Sequence, residues 1–310
     1  LETANPIIRR TTVFFFVFAA AFSHAAQSFT IATYNVDTYL DQPTQSRPHA
    51  KTAEAKVKVR DVICAMNPDV IALEEMGSTN ALLELRASLK DKGLDFPYWD
   101  HLQGWDTNIH VAVLSKFPIV ARHPHTNDEF LLDEKRFRVS RGIDELEIQP
   151  TPDFTFTLIA VHLKSKVPDS GADPDEQRLD EARILRQIIN DHFKADPEAR
   201  LVVLGDFNDE KDSDSVREII GRGKLKLVDT RPAERNGDDR TLKSSYNEPR
   251  NVTWTYFYGK DDTYSRIDYI LLSPAMARCW HKDGTYVVTV PNWGIASDHR
   301  PIVAAFDTGK

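Results

Sequence analysis

Leu201-Val202-Val203-Leu204-Gly205-Asp206-Phe207-Asn208 is the stretch whose reading decides the fold. A run of consecutive aliphatic residues is the mark of a strand buried on both faces. The glycine, carboxylate and amide that follow at once place polar groups at that strand's end. The pattern recurs elsewhere in the chain. Ile31-Ala32-Thr33-Tyr34 leads into Asn35, Ile71-Ala72-Leu73 into Glu74-Glu75, and Ile159-Ala160-Val161 into His162. Asp268 is a lone carboxylate inside the apolar run Ile267–Leu272. Ser297-Asp298-His299 stands just before Pro301 and the run Ile302–Phe306. Successive strand residues face opposite ways, so Asp298 and His299 share a site only from the loop entering that strand. A proline at the strand start suits this placement.

Further β-rich runs are Phe29–Thr33, Val70–Leu73, Val111–Leu114, Phe154–Val161 and Tyr286–Val290. Helical patterns lie between them. Ala53–Met66 ends before Asn67-Pro68, where proline disfavours further helix. In Arg178–Phe193, Leu179, Ala182, Leu185, Ile189 and Phe193 fall on one face. Strands and helices mix without strict alternation, which predicts an α/β fold of packed sheets with helices outside. The span 28–308 reads as a single domain, with Pro168–Gln177 and Arg231–Arg250 as its longest loops.

At 310 residues and 41% apolar content a sizeable core is affordable, and 28% charged residues suit a soluble globular protein. The net charge of -8 argues against non-specific coating of a polyanion. It leaves room for a metal-dependent enzyme whose cation offsets clustered acids. Residues 1–25 read as a secretory signal: Arg9-Arg10, then the apolar run Val13–Phe22, then Ser23-His24-Ala25. A secreted or periplasmic location is therefore expected. No later segment is apolar enough to span a bilayer. Cys64 and Cys279 are the only cysteines; one disulfide or two free thiols both fit the sequence.

Carboxylates gathered at strand ends repel one another unless a hard cation or a proton sits among them. Oxygen ligands without cysteine favour magnesium, with manganese or calcium as alternatives, over zinc.

Taken in order, the pieces resemble the endonuclease/exonuclease/phosphatase family, which includes pancreatic-type deoxyribonuclease, abasic-site endonucleases, neutral sphingomyelinases and inositol-polyphosphate phosphatases. They are Thr33-Tyr34-Asn35, Pro68–Glu75, Val113–Pro118, Val161-His162-Leu163, Gly205–Asn208, Arg266–Ile270 and Ser297–Pro301. The resemblance implies a four-layered α/β sandwich, two packed mixed β-sheets flanked by helices. It implies Glu75 as metal ligand, with Asn35 and Asp298 completing the oxygen shell. It implies His299 as general base, Asp268 as the carboxylate fixing its tautomer, and His162 as a donor to the phosphate or leaving oxygen. Asp206 and Asn208 would orient the attacking water and bind phosphoryl oxygens. Glu74 stands where many members have glutamine, His110 where many have glycine, and Gly77 where nicking deoxyribonucleases carry a basic residue.

Val161–Lys166 is similar to the histidine-and-lysine motif of secreted bacterial nucleases of this family. Lys164 and Lys166 are candidate contacts to a nucleic-acid phosphate, and so is Arg141. The expected activity is a nuclease, acting as a monomer without a protein partner. A phosphatase, a phospholipid phosphodiesterase or a catalytically silent binding module of the same fold are the alternatives.

Overall fold

The computed structural model describes residues 27–168, 171–237 and 251–309. The segment read as a secretory signal lies outside them. In chain order the elements are β1 (Ser28–Tyr39), α1 (Ala53–Met66), β2 (Val70–Met76), α2 (Thr79–Lys90), β3 (Tyr98–Leu102), β4 (His110–Ser115), β5 (Ile119–Arg122), β6 (Glu129–Leu132) and β7 (Lys135–Arg138). Then come β8 (Ile143–Thr151), β9 (Phe154–His162), α3 (Pro174–Ala195), β10 (Leu201–Asp206), α4 (Asp214–Ile220), β11 (Val228–Asp229) and β12 (Ala233–Glu234). The chain closes with β13 (Tyr256–Tyr258), β14 (Thr263–Ser265), β15 (Asp268–Leu272), α5 (Pro274–Arg278), β16 (Trp280–Val287) and β17 (Ile302–Asp307).

Two large mixed sheets form. The first has the order β12-β16-β17-β1-β2-β4-β3 and the second β11-β15-β10-β9-β8-β5. The pairs β1/β2 and β9/β10 are parallel, whereas β1/β17 and β10/β15 are antiparallel. Side-chain alternation then sorts the core into three layers. Ile31, Val70, Ala72 and Val113 of the first sheet meet Leu158, Ala160, Val202, Leu204 and Ile270 of the second between the sheets. The other face of the first sheet (Ala32, Ile71, Leu73, Leu114) packs under α1 and α2. The other face of the second (Ile159, Val203, Leu271) packs under α3 and α4. The result is the expected four-layered sandwich.

The helices start where side chains satisfy their first amides. Thr52 accepts from Ala55 N, Ser78 from Ala81 N, and Asp173 from Asp175 N with Pro174 just inside. Helix α1 stops on Asn67 in the left-handed region before Pro68, as the sequence predicts. Helix α2 was not among the expected helices, although Ala81, Leu82, Leu85 and Leu89 form its buried stripe. Other expectations need correcting. The loop Pro168–Gln177 ends early, because Asp173 caps a helix from Pro174. The strand expected at Tyr286–Val290 is Trp280–Val287 instead, set by its pairing with β17. Within the expected loop Arg231–Arg250, Ala233–Glu234 pairs with Tyr286–Val287 as a short strand. Both cysteines are free. Cys64 packs with the outer core of the first sheet and Cys279 with the layer between the sheets, so that sheet separates them. No helix among the described residues is long and apolar enough to cross a membrane.

On the outer face of the second sheet the buried carboxylate of Glu145 accepts from His125 Nε2 and His192 Nε2, each at 3.0 Å. Burial opposes the charged form of Glu145, but the two imidazoles pull its pKa down to about 2. Both histidines are raised, first by the hydrogen bond to Glu145. A raised histidine gives stability that is complete below its unfolded pKa and is lost as pH rises through the folded one. The lowered Glu145 gives stability above its unfolded pKa and loses it as pH falls through about 2. The cluster is therefore strongest between the unfolded values, roughly pH 4.5 to 6.5. Replacing His192→Ala should lower Tm by about 2 °C more at pH 5.5 than at pH 8.5. Thermal melts of both proteins at the two pH values check this; equal losses would leave Glu145 without its proposed charge clamp.

Candidate active site

The alternation that builds the inner layer also delivers polar groups to one end of it. Register places Asn35 opposite Glu74, and Asp206 opposite both His162 and Asp268. All five continue the inward-facing rows of their strands. Gly205 makes the close approach of β9 possible: its φ is +132°, and a Cβ there would lie 1.9 Å from the Val161 carbonyl oxygen.

Glu75 reaches the site differently. Strict alternation would send it outward, but the β1/β2 register breaks between Asn35 and Tyr39. Glu75 takes φ +61°, and Asp37 and Thr38 take +46° and +50°. A bulge of this kind re-aims a side chain at the end of a ladder. The Glu75 carboxylate then accepts from Thr38 N at 2.9 Å and from Asn35 Nδ2 at 3.4 Å. Non-glycine residues held in this region carry strain that surrounding contacts must hold in place. Gly77, two residues on, presses against β1: a Cβ would sit 2.6 Å from the Tyr39 carbonyl oxygen. The basic residue that nicking deoxyribonucleases carry there does not fit this backbone.

Asp206 sits at the centre. Its carboxylate accepts from Asn35 Nδ2 at 3.0 Å and from Asn208 N at 2.8 Å. It lies 3.6 Å from His162 Nε2 and 3.7 Å from His299 Nε2. His299 Nδ1 donates to Asp268 at 2.9 Å, so one imidazole stands between two buried carboxylates. The Tyr256 ring covers His299 with centroids 4.8 Å apart. Ser297 ties the loop down: its hydroxyl donates to the Asn35 carbonyl at 2.8 Å and accepts from His299 N at 3.0 Å. Asn208 Nδ2 donates to the Leu163 carbonyl at 3.0 Å. Asp298 lies at the solvent-facing mouth.

The electrostatics follow from crowding. Burial opposes the charged form of His299, but Asp268, Asp206 and Asp298 together raise its pKa well above the usual range. His162 is pushed well below, by burial first and then by Arg141, His299 and Arg47. It is a neutral imidazole, and its buried Nδ1 has no hydrogen-bond partner. Asp206 is raised, chiefly by burial, with His299 opposing and Asp268 adding. The protein packed around the Asp298 carboxyl pushes it up to about 6, His299 opposing and Asp37 and Glu75 adding.

Two sets of groups have the donors a cation needs. Asp206, Asp268 and His299 offer atoms that all lie within 4.8 Å of one another. Asn35, Asp37, Glu75 and Asp298 form an oxygen-rich limb beside it, where the Thr38 amide, the Asn35 amide and the Lys51 ammonium offset part of the charge.

The structure thus brings Asn35, Glu75, His162, Asp206, Asn208, Asp268, Asp298 and His299 to one end of the sandwich. Arg141 is near: it donates to the Leu163 carbonyl, lies 3.4 Å from Asp106 and acts on His162. The two candidate lysines serve the loop itself. Lys164 Nζ donates to the Val167 carbonyl at 2.8 Å, and Lys166 pairs with Glu210 at 3.1 Å. His110 faces outward beside His101, and burial lowers it to about 4. Asp37, Arg47 and Lys51 were missed from the sequence. Asp37 alone carries a signal, as an acid two residues past Asn35; Arg47 and Lys51 sit in an unpatterned loop.

The sequence model of the endonuclease/exonuclease/phosphatase family matches residues 32–299. The chain belongs to this family. Its members are metal-dependent phosphoester hydrolases. A comparison with curated proteins returns no match. Solved structures share the fold at low identity. Sphingomyelinase C from Streptomyces griseocarneus has a TM-score of 0.60 at 19% identity, covering 90% of this chain and 99% of its own. The human nocturnin catalytic domain with bound sulfate has 0.59 at 16%, covering 90% and 94%. Truncated Caenorhabditis elegans TDP2 has 0.58 at 14%, covering 90% and 97%. A Staphylococcus aureus beta toxin variant that is similar at 18% identity holds magnesium ions.

Glu74 generates a prediction of its own. It is fully buried, accepts from Thr33 Oγ1 at 2.6 Å, and leaves Oε2 without a partner. Burial raises its pKa well above the usual range, with Asp268 and Asp206 adding. A raised carboxyl costs stability increasingly as pH climbs past its unfolded value. Glutamine has the same shape and no charge. Replacing Glu74→Gln should raise Tm by roughly 2–4 °C at pH 8 and by less at pH 5. Melts at both pH values would show it, and a Tm that falls at pH 8 would refute it.

Proposed function

We propose that the chain is an exported phosphodiesterase dependent on a divalent cation, cleaving nucleic acid by in-line attack of water. The observation that carries this reading is His299, held between Asp268 and Asp206 beside an oxygen-rich limb of Asn35, Glu75 and Asp298. A span of 28–308 acting as one domain and as a monomer, after removal of a leading secretory segment, is part of the same proposal.

Asn35, Glu75 and Asp298 would hold the cation, and the donor set fits: hard oxygens, crowded carboxylates and no thiolate. Magnesium, or manganese or calcium in its place, would supply charge to bind a phosphoryl oxygen and to offset the acids. The residues divide the remaining work. Asp268 fixes the Nδ1–H tautomer of His299, leaving Nε2 to face the pocket. Asp206, next to Nε2, orients the attacking water. Once the ring is neutral and Nε2 free, a proton of that water moves to His299 Nε2 as the water oxygen bonds to phosphorus and the bond from phosphorus to the leaving oxygen breaks. His162, kept neutral by burial and by Arg141 and Arg47, donates toward the leaving oxygen. Asn208 and Arg141 bind phosphoryl oxygens. Lys164 and Lys166 contribute only if a substrate draws them from their present contacts. Nucleic acid is favoured as substrate because the rim beside His299 carries the stacked rings of Tyr256 and Tyr258, a surface suited to bases.

Plasmid DNA, single-stranded DNA, RNA and bis(p-nitrophenyl) phosphate form the test panel, each with magnesium and with EDTA. Turnover should require the cation, and activity surviving EDTA would overturn the metal reading. His299→Ala should nearly abolish turnover and Asp268→Asn should lower it by about 10²–10⁴-fold. If they act as one unit, the double variant should be little worse than the worse single one. Independent, multiplicative losses in folded variants would sink the pair. With p-nitrophenyl phosphate added as a monoester, hydrolysis confined to it would move the reading to a phosphatase.

A further inference from the structure

Lys51 lies outside the machinery described so far, yet its ammonium faces the acidic limb. Its side chain is 5% exposed. Nζ donates to the Asp37 carbonyl at 2.8 Å and stands 3.7 Å from the Asp37 carboxylate. The carboxylates that act on it are Asp37, Glu75 and Asp298. The lysine is anchored from behind as well. Its backbone N donates to the Leu40 carbonyl at 3.1 Å, and Thr52 beside it caps α1.

Asp37 in contact, with Glu75 and Asp298 acting from farther off, sets a charge balance around one buried ammonium. A single divalent ion held by Asn35, Glu75 and Asp298 would leave, with Asp37 beside it, one negative charge, which Lys51 cancels. We propose that Lys51 is a tethered cation standing in for a second metal ion, so that this limb takes one divalent ion per chain. Lys51 is a positioning residue: it touches neither substrate nor reacting water. Its charge weakens the resident ion's binding while its hydrogen bond holds the strained turn at Asp37 and Thr38. The inference rests on the metal reading of the preceding section.

The charge and the hydrogen bond predict opposite outcomes when Lys51 is changed. Loss of a nearby like charge should tighten cation binding; loss of a structural bond should loosen it. The test is titration of the metal-free full chain with Mn²⁺ alone, followed by calorimetry and by loss of the free-ion paramagnetic resonance signal. Wild type should bind one Mn²⁺. Lys51→Met should bind its first ion roughly tenfold more tightly, since two like charges a few ångströms apart repel by an amount of that order even when largely screened. Lys51→Arg should stay within twofold of wild type. Melts in EDTA establish that each variant folds, and Lys51→Arg keeps the test open if Lys51→Met does not. Two ions bound by wild type, both still bound in Asp268→Asn, which removes a carboxylate of the other donor set, overturn the proposal, as does a Lys51→Met affinity equal to or weaker than wild type; a second ion lost in Asp268→Asn lies outside the limb and leaves it with one. A tenfold tightening in Lys51→Arg overturns it too. Wild type that binds no Mn²⁺ overturns the metal reading and this inference together, whereas normal wild-type binding with an unchanged Lys51→Met overturns this inference alone.

Discussion

Negative charge held in a water-poor gap is the constraint on which this structure turns. Glu74, Asp206 and Asp268 lie buried at one end of the layer between the sheets, and Glu75, Asp37 and Asp298 rim its opening. Charges drawn together in a low-dielectric space repel strongly. The surrounding donors each offset a part of that cost. Backbone amides of Thr38 and Asn208 point at Glu75 and Asp206, the Asn35 amide reaches both, and His299 stands between two of the acids. These donors are too few for the acids present, as the unpartnered Glu74 Oε2 shows. Burial first, with neighbouring carboxylates adding, raises the carboxyls of Glu74, Asp206 and Asp298, and a cation among them would relieve that cost.

The same constraint explains why the dyad straddles the two sheets. His299 enters from the loop before β17 of the first sheet, whereas Asp268 belongs to β15 of the second. The Asn35–Asp206 hydrogen bond spans the sheets in the same way. Sub-ångström errors in sheet-on-sheet position would therefore spoil the site, because both contacts have hydrogen-bond tolerances. Tight packing of the inner layer supplies the precision. At the far end of that layer, Phe29 meets Phe117, Phe154, Phe156 and Phe306 with ring centroids 5.4 to 5.9 Å apart. At the near end Ser297 joins the Asn35 carbonyl to the His299 amide. The sheets are thus registered at both ends, by an aromatic cluster at one and by the Asn35–Asp206 and His299–Asp268 hydrogen bonds at the other.

What could be read in advance, and what could not, follows from how each element encodes itself. Strand cores carry continuous aliphatic runs, so Leu201–Leu204 and Ile302–Phe306 were plain, and so was the placement of Asp206 and Asp268. Helix α1 announced its end through Asn67-Pro68, whereas its Thr52 cap is seen only in the structure. Short hairpins such as β6/β7 and β13/β14 contribute little to the core and have no such signature. The start of β16 depends on its pairing with β17, a contact between distant residues that no local pattern displays. Side-chain direction was the harder problem. Period-two alternation places Glu74 in the gap and sends Glu75 away; only the bulge at Asp37–Thr38 and the left-handed Glu75 reverse that. Family resemblance assigned Glu75 a role that local periodicity alone would have denied it. Lys166 errs the opposite way: its position in the motif suggests a phosphate, but Glu210 and Asp209 are already within its reach.

An acidic protein taking the proposed nucleic-acid substrate would have to separate its own charges in space, and the layers do this. The acidic limb is confined to the first sheet's end, where a bound cation together with Lys51 would neutralise it locally. Arg141 and Arg47 act on His162, across the pocket from that limb. The net charge of -8 then describes the whole surface and says little about the field a substrate meets. Other cations are withdrawn from the contest: Arg178 is buried against Asp209, and Arg300 is stacked on Trp254 and paired with Glu234. Guanidinium groups so engaged stiffen the walls without adding free positive charge. On the proposed reading, attraction for a phosphate would be left to a few groups at the mouth, so selectivity would depend on the geometry of that mouth more than on total charge.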